Sequence, residues 1–216
     1  MAQIFPRGAN SVAKVSVVAT VILAGALLTA AYTLDRGSFT TNVGIAPDQP
    51  VPFSHKHHVT DDGIDCRYCH TSVESSRYAG IPPTETCMSC HSQLWTNAAM
   101  LEPVRASYRT GVSLSWTRVY DLPDFVYFNH SIHINKGIGC ATCHGRIDLM
   151  PLTFKVNTLY MNWCLNCHRQ PEQFVRPRDQ VFNMAYEPPP DQMELGRKLV
   201  AEYKIQKLTD CWTCHR

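Results

Sequence analysis

All ten cysteines of this 216-residue chain fall into five Cys-x-x-Cys pairs, and a histidine directly follows each pair. The five runs are Cys66-Arg67-Tyr68-Cys69-His70, Cys87-Met88-Ser89-Cys90-His91, Cys140-Ala141-Thr142-Cys143-His144, Cys164-Leu165-Asn166-Cys167-His168 and Cys211-Trp212-Thr213-Cys214-His215. This is the attachment pattern of c-type haem: two thiols form thioethers to the porphyrin and the adjacent histidine is the proximal iron ligand. Two intervening residues let both thiols reach the haem from one short turn. Five disulfides or paired zinc half-sites are the rival uses of such cysteines, and neither needs the histidines. Histidine is 10 of the 216 residues, so its chance recurrence after all five pairs is on the order of 10⁻⁷, and the expectation is five covalently bound haems c.

That cofactor load dictates the fold class. Regular strand patterns are hard to find, and five porphyrins must supply much of the hydrophobic core that a small scaffold otherwise lacks. The expected architecture is a single N-terminal transmembrane helix plus a multihaem cytochrome c fold, with short helices and coil packed around five haems and little sheet. The formal charge of +2 belongs to the bare polypeptide. Ionised propionates would make the loaded protein negative by roughly eight charges, and nothing points to nucleic acid.

Residues 15–34, VSVVATVILAGALLTAAYTL, carry no charged side chain and have the length of a membrane-spanning helix. Arg7 and Lys14 precede them, which predicts a cytoplasmic N-terminus (residues 1–14) and everything after Asp35 on the extracytoplasmic, periplasmic side. A cleaved signal peptide is the rival, since Thr29-Ala30-Ala31 offers small residues; the length of the span favours a retained single-pass anchor in the cytoplasmic membrane.

After a proline-containing linker, 35–52, the chain repeats itself. Phe53-Ser54-His55-Lys56-His57-His58 leads through Gly63 to the first two motifs (module 53–93), and Phe128-Asn129-His130-Ser131-Ile132-His133 leads through Gly137 to the next two (module 126–170). Corresponding landmarks are displaced by 74 to 77 residues. A connector, 94–125, contributes Trp95, Tyr108, Trp116 and Tyr120 to packing, and residues 171–216 form a C-terminal monohaem segment. There Asp191 with Glu194 reads as a capping box, opening a helix whose apolar face is Leu195, Leu199, Val200 and Tyr203.

The repeat singles out four free histidines. His55, His58, His130 and His133 hold equivalent places and can give four bis-histidine irons with the motif histidines, while His57 has no counterpart and reads as an ordinary surface residue. The fifth iron has no such histidine, so methionine is its expected partner: Met184 first, Met161 next, with Met150 and Met193 also in the chain. A methionine ligand raises the potential, so electrons would leave from the C-terminal haem.

The Phe-x-His-x-x-His units with clustered motifs resemble the class III multihaem cytochrome c family. The segments FSHKHHVTDDGIDCRYCHTSVESSRYAGIPPTETCMSCH, LPDFVYFNHSIHINKGIGCATCHGRIDLMPL and MNWCLNCHR are similar to the membrane-anchored pentahaem subunit of bacterial alternative complex III. That resemblance implies an electron-transfer subunit of a quinol-oxidising respiratory or photosynthetic complex, passing electrons to a soluble or membrane-bound acceptor. It implies partners that include an iron-sulfur protein of the molybdopterin-enzyme type, polytopic membrane subunits and a monohaem cytochrome c. No catalytic site of its own is expected. All thiols are used, and a nitrite-reductase-like Cys-x-x-Cys-Lys site is absent. A haem-storage scaffold remains the third reading, separated by whether the haems reduce when quinol is supplied.

Overall fold

The computed structural model describes residues 4–215. The chain divides into two compact units, residues 1–43 and residues 44–216.

The first unit is dominated by α1 (Ala9–Arg36), followed by the single turn α2 (Ser38–Thr41). Helix α1 has 28 residues, about 42 Å at 1.5 Å per residue, enough for a bilayer core of about 30 Å. None of its side chains is buried, although the helix is strongly apolar.

The second unit is built of short helices and coil. Among the described residues there is no strand, only the isolated bridges Val126 to His215 and Ile138 to Val175. Each Cys-x-x-Cys pair occupies a helical turn: α3 (Cys66–Cys69), α4 (Thr84–His91), α7 (Cys140–His144), α8 (Met161–Arg169) and α10 (Cys211–Cys214). Residues three apart on such a turn share a face, which aims both thiols the same way. Asp65 caps α3 by accepting from the Arg67 N–H at 2.8 Å. The remaining helices are α5 (Glu102–Thr110), α6 (His130–Asn135) and α9 (Gln192–Glu202).

The two Phe-x-His-x-x-His units fold differently for a countable reason. Four residues separate His58 from Gly63, but only three separate His133 from Gly137. Module two closes as α-helix α6, whereas module one winds as a π-helix over Lys56–Asp61, with the Asp62 N–H donating to the His57 carbonyl at 3.0 Å. The wider turn absorbs the extra residue without moving the histidines, a common use of π-helix at functional sites.

Conventional core is scarce. Val175, Leu199, Tyr203 and Ile138 form one cluster, and Val73, Ile134 and Val181 another. Only eleven apolar side chains are buried among the described residues, too little for a unit this size to stand on aliphatic packing alone. Leu199 and Tyr203 bury the expected face of α9. The capping box there does not form: Asp191 has no side-chain cap bond, and Glu194 pairs with Lys198 at 2.8 Å instead. Asp191 lies outside the extended region that lets a capping side chain fold back on the helix.

The stretch expected as linker joins the second unit from Gly44 onward. The Gly44 N–H donates to the Lys155 carbonyl at 2.8 Å, Gln49 exchanges bonds with Thr117, and Val51 is buried.

Candidate haem-binding site

No two of the ten cysteines are bonded to each other. Burial pushes the Cys143 thiol up to about 12 and the Cys140 and Cys167 thiols up to about 11, with neighbouring thiols adding to the effect. Such thiols are protonated at neutral pH and unsuited to nucleophilic or redox work. They are not grouped for a bare ion either: among the described residues, no three of His, Cys, Asp or Glu come together in a metal-binding cluster.

The histidines meet in pairs. His55 faces His70 with ring centroids 6.5 Å apart and planes 11° from parallel, and His130 faces His144 at 6.4 Å and 11°. His58 faces His91 at 6.1 Å and 70°, and His133 faces His168 at 6.1 Å and 62°. These separations leave room for one metal ion between two imidazole nitrogens at about 2.0 Å from each. Phe53 and Phe128 each pack against both histidines of their own unit, with centroids 4.5 to 4.9 Å away. The aromatic residue therefore spaces the two rings, which explains its place in the repeat.

Ring orientation is held from the other nitrogen. The Nδ1 atoms of His58, His70, His91, His130, His133 and His168 bond the carbonyls of Ser54, Gly80, Leu94, Arg77, Asn129 and Leu208 at 2.7 to 3.2 Å. His55 Nδ1 meets the Thr153 hydroxyl at 2.9 Å. An imidazole donating from Nδ1 to a carbonyl presents the Nε2 lone pair, the tautomer a metal needs. Burial first, then the neighbouring histidines, pushes His55 and His144 down to about 4, and burial lowers His130 and His133 as well. Neutral rings are thus available as ligands at physiological pH. The donor set fits haem iron, which asks the protein for two axial ligands, better than zinc, which asks for three or four.

His57 is different. Its ring nitrogens lie 3.8 Å from Asp61 and 3.6 Å from Asp62, on the exposed side of the π-helix.

The modules brace one another reciprocally. In module two the His130 N–H and Nδ1 both donate to the Arg77 carbonyl, the Ser131 N–H to Ser76, and Asn135 Nδ2 to Glu74. In module one the Lys56 N–H donates to Met150, Thr60 Oγ1 to Asp148, and His55 meets Thr153. Glu74 and Ser76 correspond to Asp148 and Met150 in the repeat, so each Phe-x-His-x-x-His segment rests on the loop after the other module's first motif. Backbone carbonyls carry most of this support, and every residue has one, so no sequence signal could have marked them.

The fifth motif is held where the connector joins module two. His215 Nδ1 lies 3.2 Å from the Phe125 carbonyl, and the Tyr127 N–H donates to the Cys214 carbonyl at 2.7 Å. An open cleft of about 610 Å³ beside it is lined by Thr209, Asp210, Cys211, Trp212 and His215. Of the methionines, Met150 and Met184 are buried, Met161 is 66% exposed at the start of α8, and Met193 is exposed. Met184 follows the stretch whose Val181 carbonyl accepts the Cys140 N–H, and the chain then runs through Pro188–Pro190 to α9. Tyr120 packs edge-on to His144 at 4.3 Å, while Trp95 and Tyr108 are exposed.

Residues 126–216 match the family model of cytochrome c7 and related cytochrome c. The chain is also similar to the protein named menaquinone reductase, multiheme cytochrome c subunit, of Nitratidesulfovibrio vulgaris (strain Hildenborough), at 37% identity over 98 residues. That match covers 45% of this chain and 46% of the relative, so it spans less than half of the relative's own length. The chain therefore combines one apolar N-terminal helix with a multihaem cytochrome c domain, in which residues 126–216 match the model of cytochrome c7 and related cytochrome c.

Proposed function

We propose that this chain is a membrane-anchored electron-transfer subunit carrying five covalent haems c, working in a quinol-oxidising complex of the alternative complex III type. The observation that carries this reading is the set of four opposed histidine pairs, each ring turned so that one nitrogen is left for iron. Bound haem supplies a one-electron Fe(III)/Fe(II) carrier in each site.

The residues have distinct tasks. The cysteine pairs 66/69, 87/90, 140/143, 164/167 and 211/214 hold the five porphyrins, with His70, His91, His144, His168 and His215 as proximal ligands. His55, His58, His130 and His133 are the distal ligands in this reading, taken in order for the first four motifs, and the opposed ring pairs support that order. For the fifth iron we take the buried Met184 ahead of the exposed Met161. With a histidine assigned to both axial positions of each of the four paired irons, the role these residues fit is conduction.

Helix α1 is the anchor, with Arg7 and Lys14 on the cytoplasmic side and the haem-binding unit outside the cytoplasmic membrane. The partners are an iron-sulfur protein, polytopic membrane subunits that bind the quinol, and a monohaem cytochrome c. The relative's name supports a quinone-linked complex and favours a second reading, in which electrons run toward menaquinone rather than away from quinol. Near-infrared magnetic circular dichroism with redox titration of the intact complex tests the core of this. Four bis-histidine haems and one histidine–methionine haem are expected, and fewer than four bis-histidine signals would defeat the ligand assignment. Reduction of the haems by added quinol separates the first direction from the second.

A further inference from the structure

Two features converge on the third motif, one outside the ligand set and one on a ligand's far nitrogen. The first is Arg176, which is only 7% exposed and bears on α7 from outside: Nη2 lies 3.3 Å from Thr142 Oγ1, and Nη1 lies 3.3 Å from the Asn183 carbonyl. Its guanidinium occupies the space beside Gly139 that a side chain there would need, and it stacks over Tyr186 at 4.5 Å. Its Nε has no hydrogen-bond partner, and no carboxylate among the described residues pairs with it. The nearby acids are already matched, Asp65 to Arg67 at 2.9 Å and Asp148 to Arg146 at 2.7 Å. A cation that no protein carboxylate among the described residues pairs is therefore built into the low-dielectric wall of this site, where its field is strongest.

The second feature is His144. Of the eight paired histidines among the described residues it alone has no Nδ1 hydrogen bond; the nitrogen is buried and the ring meets the edge of Tyr120. An acceptor on Nδ1 makes an imidazole a more basic ligand and favours Fe(III); its absence favours Fe(II). The positive charge of Arg176 acts in the same direction.

We propose that Arg176 and the unbonded Nδ1 of His144 tune the third motif's haem to the highest reduction potential of the four bis-histidine haems. Arg176 is thus a tuning residue that touches no ligand atom. The position suits an electron-holding point: His130 of this pair leans on the Arg77 carbonyl of module one. The proposal rests on the bis-histidine assignment above.

The test is a redox titration of the holoprotein in its membrane complex, followed by electron paramagnetic resonance and near-infrared dichroism. A His130→Met variant marks the third haem by taking its signal out of the bis-histidine set. In the native protein that haem should have the highest midpoint of the four. Arg176→Gln should lower its reduced-to-oxidised ratio about tenfold at fixed poise, equivalent to 59 mV for a one-electron couple, while Arg176→Lys restores it. Where the glutamine variant fails to assemble, Tyr120→Gln, which offers Nδ1 an amide oxygen, should lower the same midpoint. A native midpoint below that of another bis-histidine haem, or an unmoved third haem in Arg176→Gln or Tyr120→Gln, overturns the proposal. Absence of four bis-histidine signals in the native protein would instead defeat the ligand assignment itself.

Discussion

Gly196→Ala in α9 pits two physical effects of opposite sign against each other. Helix propensity alone predicts a gain of about 1 kcal/mol for alanine over glycine inside a helix. The packing predicts the reverse. A Cβ at Gly196 would stand 1.9 Å from the carbonyl oxygen of Glu172, against an ordinary contact of 3.4 to 4 Å. The obstacle is backbone, so no side chain can rotate out of the way. Helix α9 must separate from the 3₁₀ turn Pro171–Gln173, loosening Leu199 and Tyr203 from Val175. Overpacking of this kind costs about 1 to 3 kcal/mol, and the rigid partner puts it at the upper end. After the propensity gain, a net loss of about 2 kcal/mol corresponds to a fall in Tm of about 4–8 °C for a unit of this size. The expected consequence reaches the site, because Lys207 bonds Glu172 at 3.3 Å and the Leu208 carbonyl orients His168. Thermal unfolding of the holoprotein followed in the haem absorption band measures the shift. A Tm that rises by a few degrees would show that α9 does not rest on Glu172 and refute the packing argument.

The ring angles predict two spectroscopic classes: near-parallel planes at the first and third motifs give rhombic low-spin resonance signals, and steeply crossed planes at the second and fourth give highly anisotropic ones. Four alike signals would contradict the pairing. His57→Ala should leave haem count and midpoints unchanged, whereas His58→Ala should remove one bis-histidine signal, which dichroism counts directly. Because burial lowers the folded pKa of His55 to about 4, unfolding takes up protons below the ordinary histidine value of 6.5. Stability is therefore full above that pH and falls as pH drops toward 4, by up to about 1.4 kcal/mol per unit for this group; denaturant melts across that window check the sign. A chain beginning at Gly44 should leave the membrane fraction and still carry its haems, since residues 44–216 form their own compact unit; loss of haem binding on truncation would count against that division.

The candidate site was legible in the sequence because covalent haem attachment would demand fixed residues at fixed spacing. The five motifs, the duplicated histidines and the outlier status of His57 need no tertiary information. Even the π-helix has a sequence cause, the single extra residue between His58 and Gly63. The capping box at Asp191 misled because a three-residue spacing does not ensure the backbone angles that let the side chain turn back.

Residue order along the chain determined which cysteines and histidines are candidates for thioether and iron chemistry, since both act through local spacing. Only the tertiary structure decided which repeat histidine meets which motif histidine, and at what angle. Those relations depend on contacts across the repeat, such as His130 on Arg77 and His55 on Thr153. The supporting atoms are mostly carbonyls that every residue possesses, and they become distinctive only when the chain brings them within hydrogen-bond reach.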